Sequence, residues 1–434
     1  MRRLACLLAA AALLGAAPPP PGPDGENPAP VTWQRPAPAP LSAMARLGQS
    51  IFLDAGLSAS GRQSCASCHS PAHAYGPPDP SGIMMGGPHM ARQGVRAVPS
   101  LMYLDQQPPF SIGPDSGEAD DAPPPAPPPP GTPLARKLAA DPAQAAANMV
   151  PQGGLFWDGR ADSLQGQALG PLLNPLEMAN PNLAAIAAKL RGAAYAPQFA
   201  ALFGPAILND PKLLASEALF AVARYQIENP AFHPYSSKFD AWLRGQARFT
   251  EAEARGYLLF NDPARANCAG CHLDRAGADG TPPGFTDHQF EALGAPRNQA
   301  LPATRDDLGV CGPDRADMRD QTQYCGMFAT PTLRNVATRH AFFHNGVFHS
   351  LQQVMDFYAF RDVAPDRIYP TAADGSIEKY NDIPARYRAN VDITDPPFDR
   401  KPGDPPAMTP REETDIIAFL GTLTDGYEGR IASK

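Results

Sequence analysis

Residues 48–69 read GQSIFLDAGLSASGRQSCASCH, and residues 256–272 read GYLLFNDPARANCAGCH. Gly48, Ile51, Phe52 and Asp54 of the first stretch correspond to Gly256, Leu259, Phe260 and Asp262 of the second, and each stretch ends in Cys-x-x-Cys-His. The likeness continues downstream. VPSL (98–101) parallels TPTL (330–333), and FWDGRADSLQ (156–165) parallels FHNGVFHSLQ (343–352). Several motifs recurring in the same order within one chain mark a duplicated unit. The first copy carries an insertion at about residues 105–150, and the second begins near Phe249, where Thr250 and Glu253 form a capping box.

Two thiols one helical turn apart can reach both vinyl groups of a haem, and the adjacent imidazole then swings onto the iron. A single such pentapeptide could equally be a zinc knuckle or a redox dithiol. Two copies behind the same Gly…Phe-x-Asp helix favour covalent c-type haem at Cys65/Cys68 and Cys268/Cys271, with His69 and His272 as proximal ligands. Counting fourteen residues on from the matched Trp157 and His344 reaches Pro171 and Tyr358. Proline cannot ligate iron, whereas a tyrosine phenolate can. The first haem is therefore expected to keep an open distal side and the second to be closed by Tyr358. Met355, one turn earlier on the same helix face, is a rival ligand that spacing does not eliminate. Gln167, Pro171 and Glu177 follow Trp157 at intervals that could line one pocket, where a carboxylate can move a proton between the oxygens of bound peroxide. The ordinary alternatives are a surface acid for Glu177 and core packing for Trp157 and Tyr358.

Length and composition frame this reading. At 434 residues two domains are the natural expectation. Arg2 and Arg3 precede an apolar run, Leu4 to Ala17, too short to span a bilayer, so residues 1–17 read as a secretory signal peptide. No later segment reads as a membrane span, and a periplasmic protein is expected. The balance of 36 Lys and Arg against 44 Asp and Glu gives a net charge of −8, which argues against nucleic acid or anionic membrane as a partner. Beyond the two CxxC pairs and Cys6 of the leader, Cys311 and Cys325 remain, and in an exported chain they read as a disulfide. Prolines cluster at 18–40, read as an extended tether, and at 123–130, a polyproline run inside the insertion. The rest reads as mostly α, with little strand alternation. Two cytochrome c-like domains, each with one covalently bound c-type haem, are expected: an N-terminal haem domain at 41–240 and a C-terminal one at 241–425. The final helix is the cleanest, with Thr409 as cap, Pro410 at its first position, Glu412 completing a capping box, and Ile416, Ile417, Leu420 and Leu423 on one face.

The two CxxCH sites, FWDGRADSL (156–164) with NPLEM (174–178) behind it, and TPTLRNVATRHAFFHNG (330–346) together resemble the bacterial di-haem cytochrome c peroxidase and MauG superfamily, from about Leu47 to the terminal helix. The resemblance implies an inter-haem tryptophan at Trp157, a distal glutamate at Glu177, and a MauG-type distal glutamine and proline at Gln167 and Pro171. It also implies Tyr358, not Met355, as axial ligand of the second haem, a phenolate that stabilises higher iron oxidation states. His89 aligns with a loop histidine that caps the first haem in ordinary peroxidases, and is either a detachable ligand or an exposed loop residue. The family's inter-haem calcium site has an asparagine where this chain has Ala97. Carbonyl donors would come from Arg339 and Ala341, leaving calcium one side-chain oxygen short. The implied activity is reaction with hydrogen peroxide at the N-terminal haem and oxidation of a periplasmic protein partner through the C-terminal haem. The alternatives are a cytochrome c peroxidase that removes peroxide with a small cytochrome c or cupredoxin as donor, and a non-enzymatic di-haem electron carrier.

Overall fold

The computed structural model describes residues 19–115, 149–302 and 306–429. The expected signal peptide at 1–17 and the polyproline run at 123–130 lie outside the described residues. In the first half the helices are α1 (Ala43–Phe52), α2 (Cys65–Cys68), α3 (Leu164–Leu173), α4 (Leu183–Gly192), α5 (Ala196–Phe203) and α6 (Pro211–Glu228). The second half holds α7 (Lys238–Leu243), α8 (Glu251–Phe260), α9 (Cys268–Cys271), α10 (Leu351–Phe360) and α11 (Pro410–Gly421). The described fold is helix-rich, and its strands are three short antiparallel ribbons. These pair β1 (Met85–Gly86) with β2 (Arg92–Gln93), β3 (Ser111–Pro114) with β4 (Met149–Gln152), and β5 (Phe290–Glu291) with β6 (Phe328–Ala329). No described helix is long and apolar enough to cross a membrane.

Helix starts follow local chemistry. The Thr250–Glu253 and Thr409–Glu412 capping boxes both form, and each satisfies backbone N–H groups that a helix leaves unpaired. Ile416, Leu420 and Leu423 of the terminal segment are buried, and Ile417 packs at the edge of the same cluster. Two large apolar clusters result, one formed by residues between Leu47 and Phe232, the other by residues between Phe239 and Leu423.

The repeated glycine has a packing reason. α1 crosses α6 so closely that a Cβ at Gly48 would sit 1.8 Å from the Ala221 carbonyl oxygen, and α8 crosses α11 so that a Cβ at Gly256 would sit 1.9 Å from that of Asp415. The FxxG turns also match. Phe156 and Phe343 take left-handed φ values of 68° and 63°, Gly159 and Gly346 take 67° and 66°, and an antiparallel bridge closes each turn. Ser163 and Ser350 then cap α3 and α10. A non-glycine residue at positive φ is uncommon, so the shared conformation reflects a shared constraint.

Buried charges are paired. Within the second half Arg334 and Asp240, both fully buried, meet through two hydrogen bonds of 3.0 and 2.9 Å. Arg96 grips Asp307 at 2.6 Å through two nitrogens and reaches the buried Asp158 at 2.7 Å. Cys311 and Cys325 form the expected disulfide. Residues 19–40 carry no helix or strand but do not hang free. The Gly25 carbonyl accepts from Trp242 Nε1 (3.0 Å) and the Phe249 amide (2.8 Å), and Asn27 Nδ2 donates to the Leu243 carbonyl.

Candidate functional site

Each CxxC pair occupies a single helical turn, α2 or α9, with its histidine at the C-terminal end. His69 Nδ1 donates to the Tyr75 carbonyl (3.1 Å) and His272 Nδ1 to the Phe285 carbonyl (3.0 Å), which fixes the tautomer with the lone pair on Nε2. Burial pushes both imidazoles down to about 4, so both are neutral near pH 7, the form in which imidazole binds metal. Burial pushes Cys65 up to about 12, Cys68 to about 11 and Cys268 to about 12, and Cys271 well above its ordinary value. A reactive dithiol needs the opposite shift. No group of three or more His, Cys, Asp or Glu able to hold a metal ion occurs among the described residues.

A cavity of about 1770 Å³ opens over Cys268, Cys271 and His272 and runs to Trp157 and Gln167. That exceeds the roughly 300–1,000 Å³ typical of small-ligand sites and suits a large macrocycle. Tyr358 and Met355 of α10 both line it. Met355 packs into the apolar cluster. Tyr358 stacks on Phe398 with centroids 5.4 Å apart, and its hydroxyl meets no hydrogen-bonding group among the described residues. Burial first, then the nearby Cys271 and Cys268 sulfurs, push this phenol upward. An Nε2 lone pair on one side, an unclaimed hydroxyl in the same cavity and a thiol pair at its edge fit a covalently held haem.

Glu177 stands by the other CxxC pair, where its charge acts on both Cys65 and Cys68. Burial pushes its carboxyl up, while the Asn174 amide at 2.5 Å and the charge of Arg160 pull it back. Gln167 and Pro171 lie one turn apart on α3, so they share a face. Trp157 is buried, and its indole Nε1 donates 2.8 Å to the Ala97 carbonyl while its own carbonyl accepts from the Ala329 amide. It thereby ties the VPSL and TPTL neighbourhoods together. His89 is exposed at the tip of the β1–β2 hairpin, whose Gly87 amide donates to the Glu177 carbonyl at 2.7 Å.

Three residues beyond the sequence-based set shape the site. Asn174 holds Glu177, and its place three residues before the glutamate in NPLEM was the available signal. Arg160 stacks 3.6 Å over Phe156 and pairs with Asp158 within the same FWDGR motif. The Arg339 side chain lines the cavity, and loss of water alone pushes it down to about 10. Only its carbonyl had been considered.

Residues 42–248 match the family described as di-haem cytochrome c peroxidase. The chain is 36% identical over 341 residues to the methylamine utilization protein MauG of Paracoccus denitrificans, covering 76% of this chain and 78% of that one. It is 27% identical over 314 residues to the cytochrome c551 peroxidase of Nitrosomonas europaea, covering 72% of each. Among solved structures, the diheme peroxidase BthA of Burkholderia thailandensis superposes with a TM-score of 0.74 at 34% identity, covering 95% of this chain and 94% of that one. The chain belongs to the di-haem cytochrome c peroxidase and MauG family, haem-dependent oxidoreductases that carry two c-type haems.

Proposed function

We propose that this is a periplasmic, MauG-like enzyme that reacts with hydrogen peroxide at an N-terminal haem and oxidises a protein partner through a C-terminal haem. The observation that carries this reading is the Tyr358 hydroxyl, set in the cavity over Cys268 and Cys271 with no protein group to bind. His69 and His272 would hold the two irons through Nε2, with Cys65, Cys68, Cys268 and Cys271 as thioether anchors and Tyr358 as a further ligand of the second. The matched glycine crossings, FxxG turns and serine caps support an origin by internal duplication, with domains at 41–240 and 241–425. Residues 1–17 act as the export signal.

When bound, haem iron supplies peroxide binding and electron transfer. Glu177 takes a proton from the incoming peroxide and returns it to the departing oxygen, and Asn174 keeps the carboxylate aimed. Gln167 and Pro171 wall the same side, the proline contributing no amide donor. Trp157, held by the Ala97 carbonyl between the two clusters, is the conduit joining the pockets.

One observation favours the second reading, a peroxidase that removes peroxide with a small cytochrome c or cupredoxin as donor. The hairpin that presents His89 leans on the backbone of Glu177, so its histidine is within a loop movement of the distal side. The test is one equivalent of hydrogen peroxide added to the fully ferric protein, followed by EPR. Rapid loss of both ferric signals, abolished for the second haem in Tyr358→Phe, supports the MauG-like reading. Signals that persist until one haem is reduced support His89 as a cap and the second reading. Failure to react with peroxide or bind cyanide in any state leaves an electron carrier.

A further inference from the structure

Charges withdrawn from water are normally paired. Arg96 faces Asp158 and Asp307, Arg334 faces Asp240, and Arg361 faces Asp362. Arg339, half-buried at the wall of the cavity, breaks the pattern, because no carboxylate lies within ion-pair distance of it among the described residues. Its Nη2 donates to the Val98 carbonyl at 3.1 Å and, more weakly, to that of Ala341 at 3.5 Å. Carbonyl oxygens satisfy N–H donors but do not neutralise a guanidinium. The side chain lines the cavity together with Trp157 and His344, and a Cβ built on Gly76, in the loop that follows His69, would sit 3.6 Å from its Nη1. It therefore touches the surroundings of both CxxCH sites.

The same ground is poorly suited to calcium, which takes six to eight oxygen ligands. Ala97 offers a methyl group. A Cβ on Gly82 would sit 2.3 Å from the Ala341 Cβ and 3.8 Å from the Ala97 Cβ, so these three backbones are closed on one another. The Ala341 carbonyl already faces a guanidinium, and a divalent ion beside it would meet a fixed like charge.

We propose that Arg339 is the resident cation between the two haem pockets, standing in for calcium and pairing with a propionate carboxylate of a bound haem. A planar guanidinium with N–H groups still free is the side chain best matched to a carboxylate. The proposal rests on haem filling the pockets. Haem content by pyridine haemochrome absorbance is therefore measured alongside every readout, so that loss of cofactor is not mistaken for loss of the pairing.

The experiment uses the wild-type holoprotein and the variants Arg339→Gln and Arg339→Lys. Elemental analysis of the wild type is expected to find no stoichiometric calcium, and chelator treatment to leave its spectra and reduction potentials unchanged. A cation beside a haem favours the ferrous form. Arg339→Gln is therefore expected to shift the equilibrium of at least one haem about tenfold toward ferric, the order expected for one charge acting through an effective dielectric of about 20. Arg339→Lys recovers most of that shift. One firmly held calcium per chain whose removal moves the potentials would overturn the proposal, as would wild-type potentials in Arg339→Gln at full haem content. Should Arg339→Gln fail to take up haem, the calcium content and chelator response of the wild type still decide.

Discussion

Glu177→Gln separates proton transfer from architecture. Glutamine keeps the shape of the side chain and an oxygen to accept from Asn174 Nδ2, now at 2.5 Å, so the cradle survives while the titrating proton is lost. Because burial raises the carboxyl, its acid and base forms interconvert closer to neutrality than those of an ordinary glutamate. A positioned acid–base group contributes on the order of 10²–10⁴ in rate, or about 3–5 kcal/mol of barrier. Stopped-flow mixing of the ferric holoenzyme with peroxide should show a loss of that size. The wild-type rate should rise with pH through the raised carboxyl pKa as the base form accumulates, and the variant should lack this limb. Stability provides the control. A folded pKa raised above its unfolded value gives stability that is full below the unfolded pKa and lost as pH rises through the folded one. At neutral pH the glutamine variant should therefore unfold at no lower temperature than the parent. A rate constant within about threefold of wild type, at full haem content, would sink the assignment, because such a loss is below what acid–base catalysis supplies.

Two further predictions concern the scaffold. Gly256→Ala drives a methyl group into the Asp415 carbonyl, a backbone atom that cannot swing aside, and should cost about 1–3 kcal/mol or more in thermal unfolding; a wild-type Tm would disprove the close crossing. Asp240→Asn leaves the Arg334 charge buried without its counter-ion and should cost about 3–5 kcal/mol. Burial alone would raise Asp240, but Arg334 and the Ser237 hydrogen bonds hold it below the usual carboxylate range. Its contribution is thus present above the unfolded pKa and lost as pH falls through the folded one. The gap in Tm between parent and variant should accordingly narrow in acid.

Features decided by neighbours in the chain were the legible ones. The Thr250 and Thr409 capping boxes and the apolar face of α11 follow from residues a few positions apart, and the Cys311–Cys325 disulfide from residues 14 apart. Internal comparison reached further, because the matched FWDGRADSLQ and FHNGVFHSLQ stretches keep one backbone conformation at Phe156 and Phe343. Tyr358 and Met355 share a helix face, so spacing cannot rank them. Both pack with the same apolar cluster and both line the cavity, where Tyr358 adds a hydroxyl. Arg339 was illegible for a different reason. Its significance lies in what is missing around it, and the Val98 carbonyl that holds it is 241 positions away. Nothing in a string of residues marks a charge as uncompensated until tertiary neighbours are known.

The docking of residues 19–40 has a consequence for the order in which the protein can be completed. Gly25 and Asn27 are bonded to residues 216 and 217 positions later in the chain. During synthesis residues 19–40 emerge ahead of the segment they dock on, so their seat on α7 and Phe249 does not exist until the whole first half has followed. Contacts of such long sequence separation form late, since the entropy of closing the loop must be met before they contribute. The segment therefore works as a latch that shuts only on a nearly complete molecule. A chain truncated before Lys238 would keep the first apolar cluster but leave this segment with nothing to hold, open to proteases that the finished protein denies.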